Sequence, residues 1–298
     1  MAAPRQDPLR DPRFSADPYP YPYPYPAYDR LREGCPVQRI PAGSGGHHAY
    51  LITGHPEARE AFTGPRLSKD TALFFADRHS NRDLHSAISR NMPASDPPAH
   101  TRHRRVATRL FTTGRVRELR PCITRVVDDL MTAWRPGTEV DLVADLAVPL
   151  PVTVICELLG VPESDRTTLA DWSHDLFDAA DTDRVDATSH RIGAYLTHLV
   201  DTAHATPGDG PLHSLLRDCA EGGLDRSESV SLAALLLVAG HGIHRCPGTP
   251  LARAEVEIAL RALVTRFPNT RLAIPAESLT WRPTRLTRGL TALPLTLA

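Results

Sequence analysis

Hydrophobic residues recur every three or four positions along most of the chain, which is the spacing of one face of an α-helix. The clearest run has the apolar members Val116, Leu119, Ile123, Val126, Leu130 and Trp134. We expect this helix to end before Pro136, with Pro121 in its first turn or at a kink. Short strands are predicted at 48–53, ended by Gly54, and at 290–297. The pattern predicts a mainly α fold with small β elements.

Start and stop signals predict further helices. They cover 152–159, 169–177, 192–200, a segment that contains 232–239, and about 250–266. Asp225 and Glu228 have the spacing of a capping box and open the helix that contains 232–239. Proline and glycine at 207–210 predict a short connection between two helices.

Residues 1–30 are rich in proline, which alternates with tyrosine from Pro18 to Pro26. Each proline removes a backbone N–H and moves the preceding residue out of the α region, so this stretch predicts polyproline II or disorder. We therefore divide the chain into a partly disordered Pro/Tyr-rich lead-in over 1–30 and a single domain over 31–298.

Composition narrows the function classes. The 298 residues include 34 Lys+Arg and 35 Asp+Glu, and the formal net charge is −1, which gives no electrostatic footprint for nucleic acid or for an anionic membrane. The longest apolar run, 230–239, is about half of the ~20 residues that a membrane-spanning helix needs. The five cysteines form no CxxC pair and the sequence has no apolar leader, so we expect a cytoplasmic protein without a membrane segment.

The strongest chemical signal is the segment 240–248, which reads GHGIHRCPG and runs into a predicted helix. Its glycines leave few side chains in the way of a large planar ligand. Cys246 lies just before the helix N-terminus, where the helix dipole and free N–H groups favour a thiolate. A thiolate in this position can ligate iron.

This segment resembles the haem-thiolate loop of cytochromes P450, with matches at Gly240, Gly242, His244, Cys246 and Gly248. Ala239 stands where the family has Phe. The resemblance implies that Cys246 is the iron ligand of haem b and that Gly242, His244 and Gly248 contact the haem. A glycine-rich structural turn is an alternative. A zinc site of His241, His244 and Cys246 is another, but it lacks a nearby fourth ligand.

A second match is the segment 96–105, which is similar to the start of the P450 helix that crosses the haem edge. His100 and Arg104 are four residues apart, so they share one helix face and the resemblance implies that they bind the haem propionates. Without the family, such an arginine-rich helix start is typical of a solvated face. Other similar stretches, such as 149–163 and 288–294, extend the resemblance over nearly the whole chain.

The chain is about a hundred residues shorter than a typical bacterial P450, and the missing segment can be placed after about residue 240. Residues 235–241 resemble the middle of the family's distal helix, where an acid and a threonine normally follow; here the cysteine loop follows directly.

The family's Glu-x-x-Arg pair is also absent. The only residues with this spacing, Glu163 and Arg166, lie at the start of a different helix. Only seven residue-to-residue steps, at most about 25 Å in length, separate Ala239 from Cys246. We therefore expect that the distal helix and the thiolate cannot both occupy the positions that they have in the family. The fold is therefore expected to be P450-like but incomplete.

The resemblance implies a haem-thiolate monooxygenase that hydroxylates a small organic molecule and takes electrons from NAD(P)H through a ferredoxin or a similar redox partner. No catalytic residue can be assigned, because the proton relay is missing, and the deletion is expected to impair turnover. One alternative is a non-catalytic haem-binding or partner-binding protein. Another is a misassembled gene product, which rereading the coding DNA around codons 235–245 would test.

Overall fold

Helices dominate the computed structural model, which describes residues 25–42, 47–64, 67–71, 83–176, 182–238, 247–281 and 289–298. The chain divides into two units, Met1–Ser68 with Pro275–Thr291 and Lys69–Ile274 with Ala292–Ala298. The prediction of a mainly α fold with small β elements is confirmed. The single domain over 31–298 stays a prediction.

The first unit contains a helix, a β-hairpin and a second helix: α1 (Tyr25–Gly34), β1 (Val37–Ala42), β2 (His47–Ile52) and α2 (His55–Thr63). The two strands are antiparallel, with Val37 opposite Ile52. The strand predicted at 48–53 is confirmed, and Gly54 caps α2.

The expectation that the stretch from Pro18 to Pro26 is not helical is wrong for its last two residues, because α1 begins at Tyr25 and includes Pro26. A proline is tolerated in the first turn of a helix, where its missing N–H has no intrahelical partner to lose. The rest of the Pro/Tyr tract lies outside the described residues.

The second unit holds most of the helices. They are α3 (Ser86–Ser89), α4 (Ala99–Leu110), α5 (Thr113–Leu130), α6 (Pro149–Leu158), α7 (Glu163–Asp175), α8 (Thr182–Ala205), α9 (Pro211–Glu221), α10 (Arg226–Val238) and α11 (Thr249–Arg266). The helices predicted at 152–159, 192–200 and 250–266 correspond to α6, α8 and α11. The predicted connection at 207–210 lies between α8 and α9.

Helix α5 differs from its prediction at both ends. It begins at Thr113, with Thr112 as N-cap, so Pro121 lies in its interior and not in its first turn. It ends at Leu130, and Trp134 lies in the following turn, where its N–H donates to the carbonyl of Met131. Trp134 is nevertheless buried, so its apolar side chain indicates burial but does not indicate helix.

Helix α10 lies in the core and packs against α3, α4, α6 and α8. Ala233 and Ala234 are fully buried, and their small side chains allow this close approach. The predicted capping box is confirmed: the Glu228 N–H donates to Asp225 Oδ1 over 2.8 Å, and the Asp225 N–H donates to Glu228 Oε2 over 3.0 Å. Helix α11 packs mainly against α5, and also against α6.

A three-stranded antiparallel sheet completes this unit, with β5 (Pro294–Thr296) between β3 (Glu139–Asp141) and β4 (Arg271–Leu272). Val140 lies opposite Leu295 in the register. The strand predicted at 290–297 is therefore shorter than expected. In the described part of the chain, no helix is both long and apolar enough to cross a membrane.

Candidate cofactor site

A cavity of about 600 Å³ lies within the second unit, among α4, α6, α10 and α11. Helix α10 contributes Leu232, Leu235 and Leu236 to its wall, and α6 contributes Pro151 and Ile155. Ligand cavities in proteins are typically about 300–1,000 Å³ and mainly apolar, so this one has the size and the character of a binding site.

Helix α4 forms the wall that carries the first predicted site residues. Arg104 lines the cavity together with Ala107 and Phe111. His100, one turn earlier on α4, is half-buried and is not among the lining residues. Burial and the nearby positive charges of Arg104 and Lys69 lower the pKa of His100, so its imidazole is mainly neutral at pH 7.

The N-terminal part of α11 forms another wall. Gly248 is the N-cap of α11 and lines the cavity, as do Thr249 and Leu251. Cys246 comes two residues before this N-cap. The N-terminus of a helix favours negative charge, so a thiolate just before α11 would be stabilised.

Glu228, in the capping box of α10, also contacts helix α4. Its carboxylate accepts a hydrogen bond from Arg102 and lies 3.1 Å from Nε2 of His103. His103 is buried, and both residues are on α4. One carboxylate thus joins the start of α10 to the helix that carries Arg104.

Helix α11 is held by ion pairs to α5. Both guanidinium nitrogens of Arg120 contact the Glu257 carboxylate, at 3.1 and 3.2 Å, and Arg266 contacts Asp128 at 2.5 Å. These side chains are largely exposed, so each pair is expected to add less than about 1 kcal/mol to stability.

Three other cysteines are poor metal ligands. Burial is the largest cause that raises the pKa of Cys122, Cys156 and Cys219, in each case to about 11. They are protonated thiols at neutral pH, whereas a metal ligand must be a thiolate.

The structure brings two of the six predicted site residues, Arg104 and Gly248, to the wall of one cavity. Gly242, His244 and Cys246 lie outside the described residues, as do both histidines of the zinc alternative. Leu235 and Leu236, from the stretch that resembles the distal helix, line this cavity together with Pro247, which follows Cys246 in the sequence. That this stretch and the thiolate do not both occupy their family positions stays a prediction, because Cys246 lies outside the described residues.

Comparison with known proteins shows to which family the chain belongs. No protein-family model matches the chain. The P450 monooxygenase PikC of Streptomyces venezuelae is 30% identical to it, over 95% of this chain and 91% of PikC. The chain belongs to the cytochrome P450 family. Its relatives are P450 monooxygenases, so this P450 is a monooxygenase, and monooxygenases are oxidoreductases.

Two further comparisons agree. The vitamin D(3) 25-hydroxylase of Pseudonocardia autotrophica is 39% identical over 72% of this chain and 53% of the hydroxylase. The structure of the tirandamycin C-bound P450 monooxygenase TamI is 27% identical and superposes with a TM-score of 0.79, covering 92% of this chain and 97% of TamI.

The alignments also bear on the missing segment of this P450. The alignment with PikC runs over 393 positions, but the chain has 298 residues, so at least 95 positions (393 minus 298) have no counterpart in it. Because the alignment covers 91% of PikC, the gaps are mainly internal. The match to the vitamin D(3) 25-hydroxylase uses 217 positions for about 215 residues (72% of 298), so a stretch of this length is almost free of gaps. A deletion after about residue 240 is consistent with both alignments.

Sequence reasoning missed several residues of this site. Met92 and Pro93 line the cavity from the segment before α4, and Glu255 lines it from α11. Glu255 is part of the Leu-Ala-Arg-Ala-Glu stretch after the cysteine loop, but nothing in its spacing indicates burial. The link from Glu228 to Arg102 joins residues 126 positions apart, and no local pattern reveals such a contact.

Proposed function

We propose that this cavity holds haem b, with Cys246 as the axial thiolate, and that the protein is a P450 monooxygenase of a small organic molecule. The observation that carries the proposal is that Arg104 and Gly248, two expected haem contacts 144 residues apart, line the same apolar cavity. A single local motif would not bring them together; the fold does.

The residues in the cavity wall fit such a group. Leucines and aromatic or aliphatic side chains suit the porphyrin faces, and the Arg104 guanidinium suits an anionic propionate. His100 and His244 are the further proposed propionate partners. His100 is mainly neutral in the free protein, and a propionate beside it would favour its protonation. Gly242 and Gly248 would let the backbone approach the ring closely.

When bound, haem would supply the activation of O2 with two electrons and two protons, so that one oxygen atom goes to the substrate and the other leaves as water. The protein's own residues bind and orient the group and exclude water through Leu232, Leu235 and Leu236. We propose that the electrons come from NAD(P)H through a ferredoxin or a similar redox partner in the cytoplasm.

We propose further that turnover is weak. The acid and threonine that deliver protons in the family do not follow Ala239-Gly240 in this sequence, since the cysteine loop begins there. A positioned proton relay contributes typically about 10²–10⁴-fold to a rate.

A second candidate is a non-catalytic P450-like protein that binds haem or a protein partner. The observation in its favour is that at least 95 positions of the alignment with PikC have no residue in this chain. Such a protein would keep the cavity but would not form product.

Haem titration and product analysis test these functions. We expect the purified protein to take up haem, and its reduced CO complex to have the red-shifted Soret band of thiolate ligation, which Cys246→Ser should abolish. Product formation with NAD(P)H and a redox partner separates the enzyme from the non-catalytic binder. No uptake under refolding with excess haemin would overturn the cofactor assignment, and an unchanged Cys246→Ser spectrum would overturn the ligand assignment.

A further inference from the structure

Glu255 is a carboxyl group in an unusual environment. Glu255 is only 7% exposed and lies in the cavity wall, in the first half of α11. Its Oε1 atom is buried and has no hydrogen-bond partner. An ionised carboxylate that is buried without a partner is strongly unfavourable, so such a group is expected to be neutral.

The charged groups around the cavity do not change this expectation. Arg104 lines it from α4, and Arg253 and Glu257 line it from α11, while α6 and α10 contribute apolar side chains. Glu257 is exposed and pairs with Arg120. Burial is the cause that raises the pKa of Glu255 to about 7, so its ionisation falls in the physiological range.

We propose that Glu255 controls cofactor uptake through its charge: the cavity accepts haem when Glu255 is neutral and binds it more weakly when Glu255 is ionised. This inference rests on the proposed function. Haem carries two anionic propionates into the cavity, and an additional negative charge in a poorly solvated wall repels them. Proton loss from Glu255 also favours water entry into a mainly apolar cavity.

Haem affinity measured at pH 6 and pH 8 tests the proposal. Two unit charges about 10 Å apart at an effective dielectric constant near 20 change a binding constant roughly tenfold. We therefore expect the dissociation constant of the wild type to rise about tenfold more between these pH values than that of Glu255→Gln, which stays neutral. His100 and the haemin propionates also titrate, but they are common to both proteins and cancel in the comparison.

Matched variants make the result specific. Glu118→Gln removes an exposed carboxylate from the neighbouring helix α5, outside the cavity wall, and should follow the wild type. Glu255→Asp keeps an ionisable group and should retain the pH dependence, which guards against misreading a folding defect of Glu255→Gln. In the haem-free protein, the infrared band of a protonated carboxyl at pH 6 should disappear in Glu255→Gln.

The outcomes separate this inference from the proposed function. Haem uptake with a thiolate spectrum but identical pH profiles in the wild type and Glu255→Gln would overturn the inference alone. An unchanged carboxyl band in Glu255→Gln would overturn it even without haem. Failure of every protein to take up haem would overturn the proposed function, and the inference with it.

Discussion

Asp225 and Glu228 each accept a hydrogen bond from the other's main-chain N–H, at 2.8 and 3.0 Å, and so close the first turn of α10. The Glu228 carboxylate also contacts Arg102 and His103 on α4. The group that caps one helix of the cavity thus anchors the helix that carries Arg104.

Glu228→Gln should therefore destabilise the protein. The amide keeps the size of the side chain but loses its charge, and a hydrogen bond to a charged group contributes about 1.5–3 kcal/mol. We expect the free energy of unfolding at pH 7 to fall by about 2 kcal/mol in urea denaturation. Glu221→Gln is the control, because Glu221 is exposed and lies 3.9 Å from an exposed Arg109; it should change stability by less than about 0.5 kcal/mol.

The effect should depend on pH. Burial acts to raise the pKa of Glu228, but the Asp225 amide and Arg102 outweigh it, so the pKa is lowered. A carboxyl group with a lowered pKa in the folded state stabilises the protein above its ordinary pKa, and this contribution is lost as the pH falls through the lowered value. The difference between Glu228→Gln and the wild type should thus shrink in acid. A constant difference down to the acid transition would contradict the assignment.

The same residues illustrate what a sequence can predict. The capping box was predictable because its partners are three residues apart and its residue types serve that geometry directly. The contact of Glu228 with Arg102 was not, because it depends on how two distant helices pack. Trp134 lies between these cases: its burial followed from its apolar surface, but the helix had already ended at Leu130, before the Pro136-Gly137 pair.

Pro26 and Glu255 show two further limits of what can be predicted from the sequence. A proline-rich tract argues against helix, but the cost of a single proline depends on its position and is small in the first turn of a helix. The raised pKa of Glu255 comes from its burial, and its Oε1 atom has no hydrogen-bond partner; only the packed structure reveals both features. Arg104, by contrast, was predicted as a site residue from a family resemblance and lies in the wall of the cavity.

Arg104→Ala should weaken haem retention and leave the axial-ligand spectrum unchanged. A charge-assisted hydrogen bond to a propionate is worth about 1.5–3 kcal/mol, which corresponds to roughly ten- to a hundredfold in affinity. Transfer of haem to apomyoglobin measures the loss rate. The neighbouring Arg105 is exposed and is not among the lining residues, so Arg105→Ala should lose haem at the wild-type rate. Equal loss rates for Arg104→Ala and the wild type would mean that Arg104 does not bind the propionate.

The stability of Glu255→Gln relative to the wild type should increase as the pH rises. A carboxyl group whose pKa is raised from 4.5 to about 7 by burial is favoured in its neutral form by the folded state. The wild type therefore loses stability as the pH rises from 4.5 through 7, by about 2–3 kcal/mol, and the loss is complete above pH 7. Glutamine does not titrate, so the stability of Glu255→Gln relative to the wild type should increase by this amount between pH 5 and pH 8 in urea denaturation. A relative stability that does not vary with pH would contradict the burial argument.

Monooxygenase turnover should be weak even in the haem-bound protein. The sequence passes from Ala239-Gly240 directly into the cysteine loop, so it lacks the proton-delivering acid and threonine of the family. Loss of this relay is expected to lower the rate of product formation about 10²–10⁴-fold, so that electrons from NAD(P)H and protons from solvent reduce part of the oxygen to peroxide. NAD(P)H consumption, peroxide and product are measured together with a competent redox partner.

Insertion of a relative's segment between Gly240 and His241 distinguishes a missing relay from a generally defective site. PikC is a suitable donor, because the alignment covers 95% of this chain. If the relay is the limiting element, the insertion should raise product formed per NAD(P)H and lower peroxide, while a scrambled insert of equal length should do neither. Since both inserts lengthen the connection between α10 and α11, a gain confined to the native segment assigns the effect to its residues and not to relief of a short linker. Rates and coupling in the unmodified protein that equal those of a full-length relative would show that the deletion does not impair catalysis.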